Sequence, residues 1–561
     1  MKLALIGINA KYIHSNLALL NLRSYANEFQ ANIEIAEYTI NNSIDHIVEE
    51  IYKLKADILC FSCYVWNIRQ IDEVISELNK ILPEGQIWLG GPEVSFFATE
   101  YLSKHKKVKG VMCGEGETIF LNLCKHYIEN SIALQEISGI VYRDESGIVE
   151  NKSESIMDMD SIPFGYDEYA DFDTRYAHKI IYYESSRGCP FRCSYCLSSV
   201  DKKLRYKSLE KVFHELSFFI KHRVSQVKFV DRTFNCDKSR SMAIWTFLNE
   251  NDNGITNFHF EIAADILSDE EVELLTTFRP GLIQLEIGVQ TTNTCTLKEI
   301  NRTADFTVIS HRVRQIQRGK NIHQHLDLIA GLPYEDLESF HQSFNDVFSI
   351  RPEQLQLGFL KVLKGSSMHD YAEKYGLCYS DYPPYEVRKT NWLSYEDILL
   401  LKHIEEMVEV YYNSHQFETA IEFVLKQRKD GFLLFLWMGN YYEQEGLFLK
   451  SHNRMSRYEL FYQMAVCMEL GNIDELKEAL LFDLYLREDI KSRPDFLPVH
   501  PHVWKGKKEK GMRYHYEWFH YDFTIEAPDG LRQKDECGFF VKFDYDQRDA
   551  LSNRAKAERV D

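Results

Sequence analysis

The sequence predicts an α/β protein in three parts: an N-terminal Rossmann-like doubly wound parallel sheet, a central partial (β/α)6 barrel and a mostly α-helical C-terminal domain. Three observations lead there. From Met1 to about Cys124, short apolar runs alternate with amphipathic helical stretches, the pattern of a parallel sheet covered on both faces. The alternation resumes from Lys179 to about Gly365 with six strand candidates. Beyond Pro383 and Pro384 the periodicity becomes mostly helical. The boundaries fall at residues 1–135, 136–178 (a linker with a small hairpin), 179–370 and 371–561.

Length and composition agree. A chain of 561 residues exceeds one ordinary core, and 45% apolar with 13% aromatic content suits a folded multi-domain protein. No stretch approaches the roughly 18 uninterrupted apolar residues of a membrane span, and Phe432 to Trp437 is far too short. Met1 to Ile8 reads as a first buried strand rather than a signal sequence, so a cytoplasmic protein with no membrane partner is expected. A net charge of -20 argues against broad attraction to nucleic acid or anionic lipid. One local basic patch, Lys505 to Lys510 with Arg513, precedes the aromatic run Tyr514, Tyr516, Trp518, Phe519 and Tyr521; its plain reading is a solvated turn and then a half-buried strand.

Taken in order, the first strands are LALIGI, IEIAEY, ILCFSCY, IWLGG and VKGVMCG, with amphipathic helices such as Ile71 to Leu82 between them. Glycine-rich or polar turns follow four of them, at Gly7 to Asn16, Ser62 to Asn67, Gly90 to Ser95 and Gly114 to Thr118. Open α/β sheets bind ligands at that carboxyl edge. After the hairpin GIVYRDESGIVE and an acidic linker containing Pro163 come IIYYESS, QVKFVDR, FHFEIAAD, LIQLEIGVQ, HQHLDLIAGLP and LQLGFLKVL. Six strands are too few for a closed eight-stranded barrel and suit an open one. Helices are expected at Tyr395 to Tyr412, Phe417 to Gln427, Tyr458 to Glu469 and Ile473 to Glu488.

The chemistry concentrates in SSRGCPFRCSYC, Ser185 to Cys196. Cys189, Cys193 and Cys196, spaced C-x3-C-x2-C, can each ligate one iron of a four-iron cluster and leave the fourth iron open. Gly188 and Pro190 suit a loop bent round such a group. Zinc is the rival, but a structural zinc site wants four ligands, and His178 and His214 lie on other elements. Cys60 and Cys63 read as core residues, and Cys113, Cys124, Cys236, Cys295, Cys378, Cys467 and Cys537 as packing residues.

The cysteine loop, with Tyr195 just before its third thiol, resembles the signature of the radical S-adenosylmethionine superfamily. That resemblance implies a 4Fe-4S cluster whose open iron binds S-adenosylmethionine, reductive cleavage to a 5'-deoxyadenosyl radical, and an electron donor such as flavodoxin or ferredoxin. It extends along the second region: Gly288 to Thr291 (GVQT) resembles the ribose-contacting strand end and carries over Gln290. Ile329 to Glu335 (IAGLPYE) resembles the segment against the adenine and carries over Ile329 and Gly331. Glu261 to Asp265 (EIAAD) resembles the third-strand segment and offers Glu261, without the arginine often found near Ala263. On the strands themselves, His259, Glu261 and Asp265 share one face, as do Glu286 and Gln290, and His325 and Asp327. These polar residues either point inward to line a reaction chamber or face a solvated exterior; helices cover the outside of a parallel barrel, so Glu286, His325 and Asp327 are expected to line the chamber.

The first region, about Met1 to Tyr127, resembles the cobalamin-binding domain that precedes many such radical domains. The matching stretches are Asn9, Ala10, Tyr12, His14, Ser15, Asn16 and Leu17 (in NAKYIHSNL); Ser62, Tyr64, Val65 and Trp66 (SCYVW); Gly90, Gly91, Glu93 and Val94 (GGPEV); and Gly114, Glu115 and Glu117 (GEGE). A flat corrin laid over a sheet edge needs close backbone approach, which Gly90 and Gly91 allow. The mutase motif D-x-H-x-x-G is absent around His14, so no histidine is expected on the lower face of cobalt. The plain alternative is a Rossmann-like domain without cofactor.

The two resemblances together imply a cobalamin-dependent radical S-adenosylmethionine enzyme, a methyltransferase acting on an unactivated carbon. The alternatives are a non-methylating rearrangement, cyclisation or redox step, or a cobalamin-binding sensor whose cluster is structural. The C-terminal region resembles an uncharacterised domain of this subgroup and names no substrate; the acidic balance favours a small molecule or peptide over RNA.

Overall fold

The computed structural model describes every residue except 153–156, 202, 491, 501, 506–510, 526–531 and 561. The chain forms two compact units, one of Met1–Glu286, Lys298–Thr303 and Leu360–Asn391, the other of Ile287–Leu297, Ala304–Phe359 and Trp392–Asp561.

In the first unit, β1 (Leu3–Asn9), β2 (Ile33–Thr39), β3 (Ile58–Ser62), β4 (Gln86–Gly90), β5 (Gly110–Met112), β6 (Ile140–Asp144) and β7 (Gly147–Glu150) form one sheet of order β2-β1-β3-β4-β5-β6-β7. The first five are parallel, and the order in which strands are added reverses at β1. Every residue of β1 is buried because its alternate side chains enter two cores: Ala4, Ile6 and Ile8 on one face, Leu3 and Leu5 on the other. The helix Ile68–Ile81 closes the first core with Ile71, Val74, Ile75 and Leu78. The hairpin β6–β7, expected in a linker, instead extends the sheet: Val111 pairs antiparallel with Val141, and Tyr142 is buried in the second core.

The same unit continues with β8 (Ile180–Tyr183), the short antiparallel pair β9 (Ser186–Arg187) and β10 (Arg205–Tyr206), then β11 (Gln226–Phe229), β12 (Asn257–Ile262) and β13 (Ile283–Gln290), which leaves the unit after Glu286. Their order is β8-β11-β12-β13, parallel where β11 meets its two neighbours. Helices Leu209–Lys221, Lys238–Glu250 and Asp269–Thr276 supply the crossovers, with Ser208, Asp237 and Ser268 as N-caps. Asp265 departs from expectation: β12 stops at Ile262, and a 3-10 turn over Ala264–Ile266 takes Asp265 off the face shared by His259 and Glu261.

The second unit begins with the remainder of β13, beside β14 (His323–Ala330) and then β15 (Gln354–Phe359), the last two parallel. The strands β16 (Cys378–Tyr379) and β17 (Val387–Lys389) pair antiparallel in the first unit. The helical periodicity past Trp392 materialises as helices Tyr395–Met407, Glu418–Gln427, Gly431–Gln444, Arg454–Cys467 and Ile473–Arg487. This region is not helical to its end: β18 (Tyr514–Phe519), β19 (Phe539–Arg548) and β20 (Ala555–Val560) make an antiparallel sheet, with the aromatic run on its first strand except Tyr521, which lies past its end. Apart from Lys505, the basic patch Lys505 to Lys510 lies outside the described residues. Helix Ile473–Arg487 is buried on nearly every side, acidic residues included, and Asp483 accepts hydrogen bonds from the amides of Thr419 and Ala420 at the start of another helix. Among the described residues no helix is long and apolar enough to cross a membrane.

Candidate active site

The thiol loop leaves β9 through Gly188, whose φ of +93° is one that glycine tolerates; a Cβ there would lie 2.5 Å from the carbonyl oxygen of Lys203. Cys189 and Cys193 are buried and Cys196 half-buried. The loop is fixed by its backbone: Cys189 N–H donates to Asp201 O (3.2 Å), Ser194 N–H to Ile300 O (2.9 Å) and Cys196 N–H to Cys193 O (3.1 Å). The guanidinium of Arg302 reaches Cys193 Sγ at 3.7 Å and the hydroxyl of Tyr195 at 3.4 Å. Three thiols held this way, with a cationic N–H on one sulfur, suit a cluster bearing negative thiolates. Among the described residues no histidine or carboxylate closes a tight four-ligand group with them, which disfavours zinc.

Arg187, immediately before Gly188, anchors the loop. It donates to Glu184 (2.7 and 3.0 Å) and to Glu117 (2.8 Å), and lies 3.3 Å from Glu115. Arg205, its cross-strand partner, takes Glu115 at 2.6 Å. Glu115 and Glu117, expected against a corrin, are ion-paired to Arg187 and Arg205 at the base of the thiol loop. Behind it, Asp231 is buried and accepts from the Ser185 amide (2.8 Å) and both hydroxyls of Ser185 and Ser186 (2.6 Å each). Sequence reasoning missed Arg187, Asp231 and Arg302. Arg187 stood within the quoted motif, but nothing local named partners about 70 residues away.

The turn after β1 is joined to β8. Ile180 N–H donates to Ile13 O (2.7 Å), Ser15 Oγ to Ile180 O (3.0 Å), and the Tyr182 hydroxyl meets His14 Nδ1 at 2.8 Å. His14 is therefore engaged with a barrel strand. Asn9 and Asn16 bond to each other at 3.1 Å, and Asn16 also caps the helix that opens at Leu17. Glu93 is buried against Tyr385 and Lys364, and Val94 sits in the first core. Gly91 has a φ of +107°, and a Cβ would lie 2.4 Å from Cys63 O. Gly90 faces the flexible end of Met112 at 3.2 Å. This edge presents aromatic rings beside the exposed Lys11: Tyr12 is 72% exposed with the Lys179 ammonium 5.4 Å from its ring centre, and Trp66, 47% exposed, stacks on Tyr64 at 4.3 Å. Ala10 and Val65 are half-buried, Ser62 is buried, and Gly114 is exposed with φ +93°. Such an edge fits a planar ring system.

Of the chamber candidates, Glu286 lies beside His259 Nε2 and Lys228 Nζ, each 3.0 Å from Oε2, across three adjacent strands. Burial alone would raise Glu286, but these two partners draw it down to about 2. Glu261 has Arg232 3.6 Å away, an arginine from β11's end where the expected one near Ala263 is missing. In the second unit, His325 Nε2 and Asp327 Oδ1 are 3.0 Å apart on β14. Gln290 ends β13 with φ +73°, unusual for a non-glycine residue, and its Oε1 is buried with no hydrogen-bond partner among the described residues. A strained backbone holding an unsatisfied acceptor is what a ligand-contacting residue shows. Gly331, with φ +90°, follows Ile329 at the end of β14. Cys60 and Cys63 are core residues, whereas Cys295, Cys378, Cys467 and Cys537 are exposed and do no packing.

Comparison with known proteins assigns the class. Residues 3–124 match the B12 binding domain and residues 183–347 the Radical SAM superfamily. Residues 373–536 match a Protein of unknown function (DUF4080). The chain thus carries a B12 binding domain followed by a Radical SAM superfamily domain. It is 25% identical over 402 residues to the cobalamin-dependent radical SAM methyltransferase TokK of Streptomyces tokunonensis, covering 67% of this chain and 58% of that one. It is 26% identical over 314 residues to the anaerobic magnesium-protoporphyrin IX monomethyl ester cyclase of Rubrivivax gelatinosus, covering 54% and 56%. The chain thus spans little more than half the length of these curated relatives. Among solved structures, the cobalamin-dependent S-adenosylmethionine radical enzyme OxsB, with aqua-cobalamin and S-adenosylmethionine bound, aligns over 86% of this chain and 80% of its own at TM-score 0.60 and 15% identity. At that identity the likeness speaks for the fold: a doubly wound sheet followed by a partial barrel.

Proposed function

We propose that the protein is a cobalamin-dependent radical S-adenosylmethionine enzyme that generates a 5'-deoxyadenosyl radical and methylates an unactivated carbon of a small molecule or peptide. The observation that carries this reading is the junction within the first unit. The turn after β1, at the edge suited to a planar cofactor, is hydrogen-bonded to β8, and the Glu115–Glu117 turn is ion-paired to Arg187 of the thiol loop. One rigid set of contacts therefore sets the spacing between the two cofactor sites.

When bound, the cluster and S-adenosylmethionine supply the radical that abstracts hydrogen, and cobalamin supplies a carrier for the methyl group. The chain's own part is placement. Cys189, Cys193 and Cys196 hold the cluster, with Arg302 donating to the Cys193 sulfur. Gln290, Ile329, Gly331, Tyr195 and Glu261 are assigned to S-adenosylmethionine, Gln290 through its unsatisfied acceptor. Tyr12, Tyr64 and Trp66 offer the flat faces for cobalamin. Glu286, kept ionised by His259 and Lys228, is a fixed negative charge for orienting a polar substrate, and a one-electron donor of the flavodoxin or ferredoxin type completes the cycle.

The cyclase among the relatives favours a second reading, radical cyclisation without methyl transfer. The test is anaerobic reconstitution with iron, sulfide and cobalamin, followed by reductant, S-adenosylmethionine and nucleoside analysis. 5'-Deoxyadenosine that vanishes in Cys193→Ala, together with S-adenosylhomocysteine, supports methyl transfer; 5'-deoxyadenosine alone supports the second reading. Neither product from a cluster-loaded, substrate-supplied enzyme refutes both.

A further inference from the structure

In the C-terminal region three potential ligands converge from segments far apart in sequence. Glu478 lies midway along helix Ile473–Arg487, His520 directly follows β18, and His500 lies in the stretch leading to that strand. One ligand atom from each lies within 4.8 Å of the others. The carboxylate is buried and already oriented: Oε2 accepts from the backbone amides of His520 (2.8 Å) and Tyr521 (3.1 Å). Those bonds turn Oε1 toward the two imidazoles, 2.9 Å from His520 Nδ1 and 3.6 Å from His500 Nε2.

A simple histidine–carboxylate hydrogen bond accounts for His520 but not for His500. At 3.6 Å its Nε2 is beyond hydrogen-bonding range, and this buried nitrogen has no other partner among the described residues. The spacing suits a different arrangement. Ligand atoms bound at about 2.0–2.1 Å in a tetrahedron sit about 3.3 Å apart, between the two separations found here. The amides on Oε2 supply the outer hydrogen bonds that orient a metal-binding carboxylate.

We infer that Glu478, His500 and His520 form a binding site for a divalent cation of the zinc class, separate from the thiol loop. Two imidazoles and one carboxylate leave a fourth place for water or a substrate group. The ion ties the buried helix to the sheet β18–β20 through the loop that carries His500.

The test uses the full-length protein with its iron–sulfur cluster reconstituted, so that Cys189, Cys193 and Cys196 are occupied. After chelator treatment, Zn²⁺ loading and desalting, zinc per chain is measured by mass spectrometry. The wild type and His502→Ala, which alters the neighbouring histidine, should each retain one zinc. His500→Ala and Glu478→Gln should bind at least about 100-fold more weakly and lose it. X-ray absorption at the zinc edge of the loaded wild type needs no variant: nitrogen and oxygen at about 2.0 Å with imidazole scattering is expected, whereas sulfur at about 2.3 Å overturns the assignment. Zinc that washes out of the wild type, or that His500→Ala retains as well as wild type, overturns it equally.

Discussion

Replacing Arg187 by methionine should destabilise the base of the thiol loop, because it breaks a largely buried ion-pair cluster from one side. The guanidinium makes three hydrogen bonds of 2.7–3.0 Å to Glu184 and Glu117 and stands 3.3 Å from Glu115, with only 18% of its side chain exposed. Its removal leaves Glu117, 6% exposed, and Glu184, 15% exposed, without their cation, while Arg205 still serves Glu115. Breaking a buried pair from one side costs about 3–5 kcal/mol, because the remaining charge stays desolvated. Arg187→Lys keeps the charge but not the fork, so a smaller loss of about 1–3 kcal/mol is expected. The assay is urea unfolding of the cluster-free protein, followed by iron content after reconstitution. Pairing Arg187→Met with Glu117→Gln in a double-mutant cycle should show coupling of about 1.5–3 kcal/mol. Should Arg187→Met unfold within about 0.5 kcal/mol of wild type and take up full iron, the anchoring role is wrong.

Three further outcomes are expected. Gln290→Gly should leave stability unchanged or raise it by up to about 1 kcal/mol, since φ is +73°, while weakening S-adenosylmethionine binding at least about tenfold in equilibrium dialysis; unchanged binding would remove Gln290 from the site. Gly91→Ala should lose about 2–3 kcal/mol and Gly90→Ala under about 1 kcal/mol in urea unfolding, because only the former meets backbone and a positive φ; equal losses would contradict that geometry. Glu335, fully buried beneath the hydroxyls of Thr291 (2.5 Å) and Ser343 (3.0 Å), is pushed by burial from the usual 4.5 to about 7. The native state then holds a proton that the unfolded chain releases, so stability should fall as pH rises from about 4.5 to 7, by about 3 kcal/mol, and level off above. Unfolding measured at pH 5 and pH 8 should show a smaller decline in Glu335→Gln than in wild type, the remainder coming from Asp483, which burial likewise raises to about 7; equal declines would remove Glu335 from the account.

What could be read from the sequence was what is local. The strands were legible because each is a short buried run, as Leu3–Asn9 feeding two cores shows, and the helices because their apolar positions recur at helical spacing. The thiol loop was legible because its three ligands fall within eight residues. Distant pairings were not. The segment Ile140–Glu150 is legible as a hairpin, but nothing in it says that Val141 meets Val111. The pairing of Glu115 and Glu117 with Arg187 is visible only after folding. Asp265 was counted on a strand that the chain had already left. Glu478, His500 and His520, 42 residues from first to last, carry no spacing motif.

The stitching of the β1 turn to β8 bears on how such proteins can be cut and recombined. The matched families end at residue 124 and restart at 183, as if two interchangeable cassettes had been joined. Yet Ile13, His14 and Ser15 on one side and Ile180 and Tyr182 on the other finish each other's hydrogen bonding, and Arg187 does the same for Glu117. A chimera that swaps the first segment alone would strand a strand edge and a buried arginine. The exchangeable piece is the segment together with its seam, residues 10–16, 115–117 and 180–187, inherited as a set.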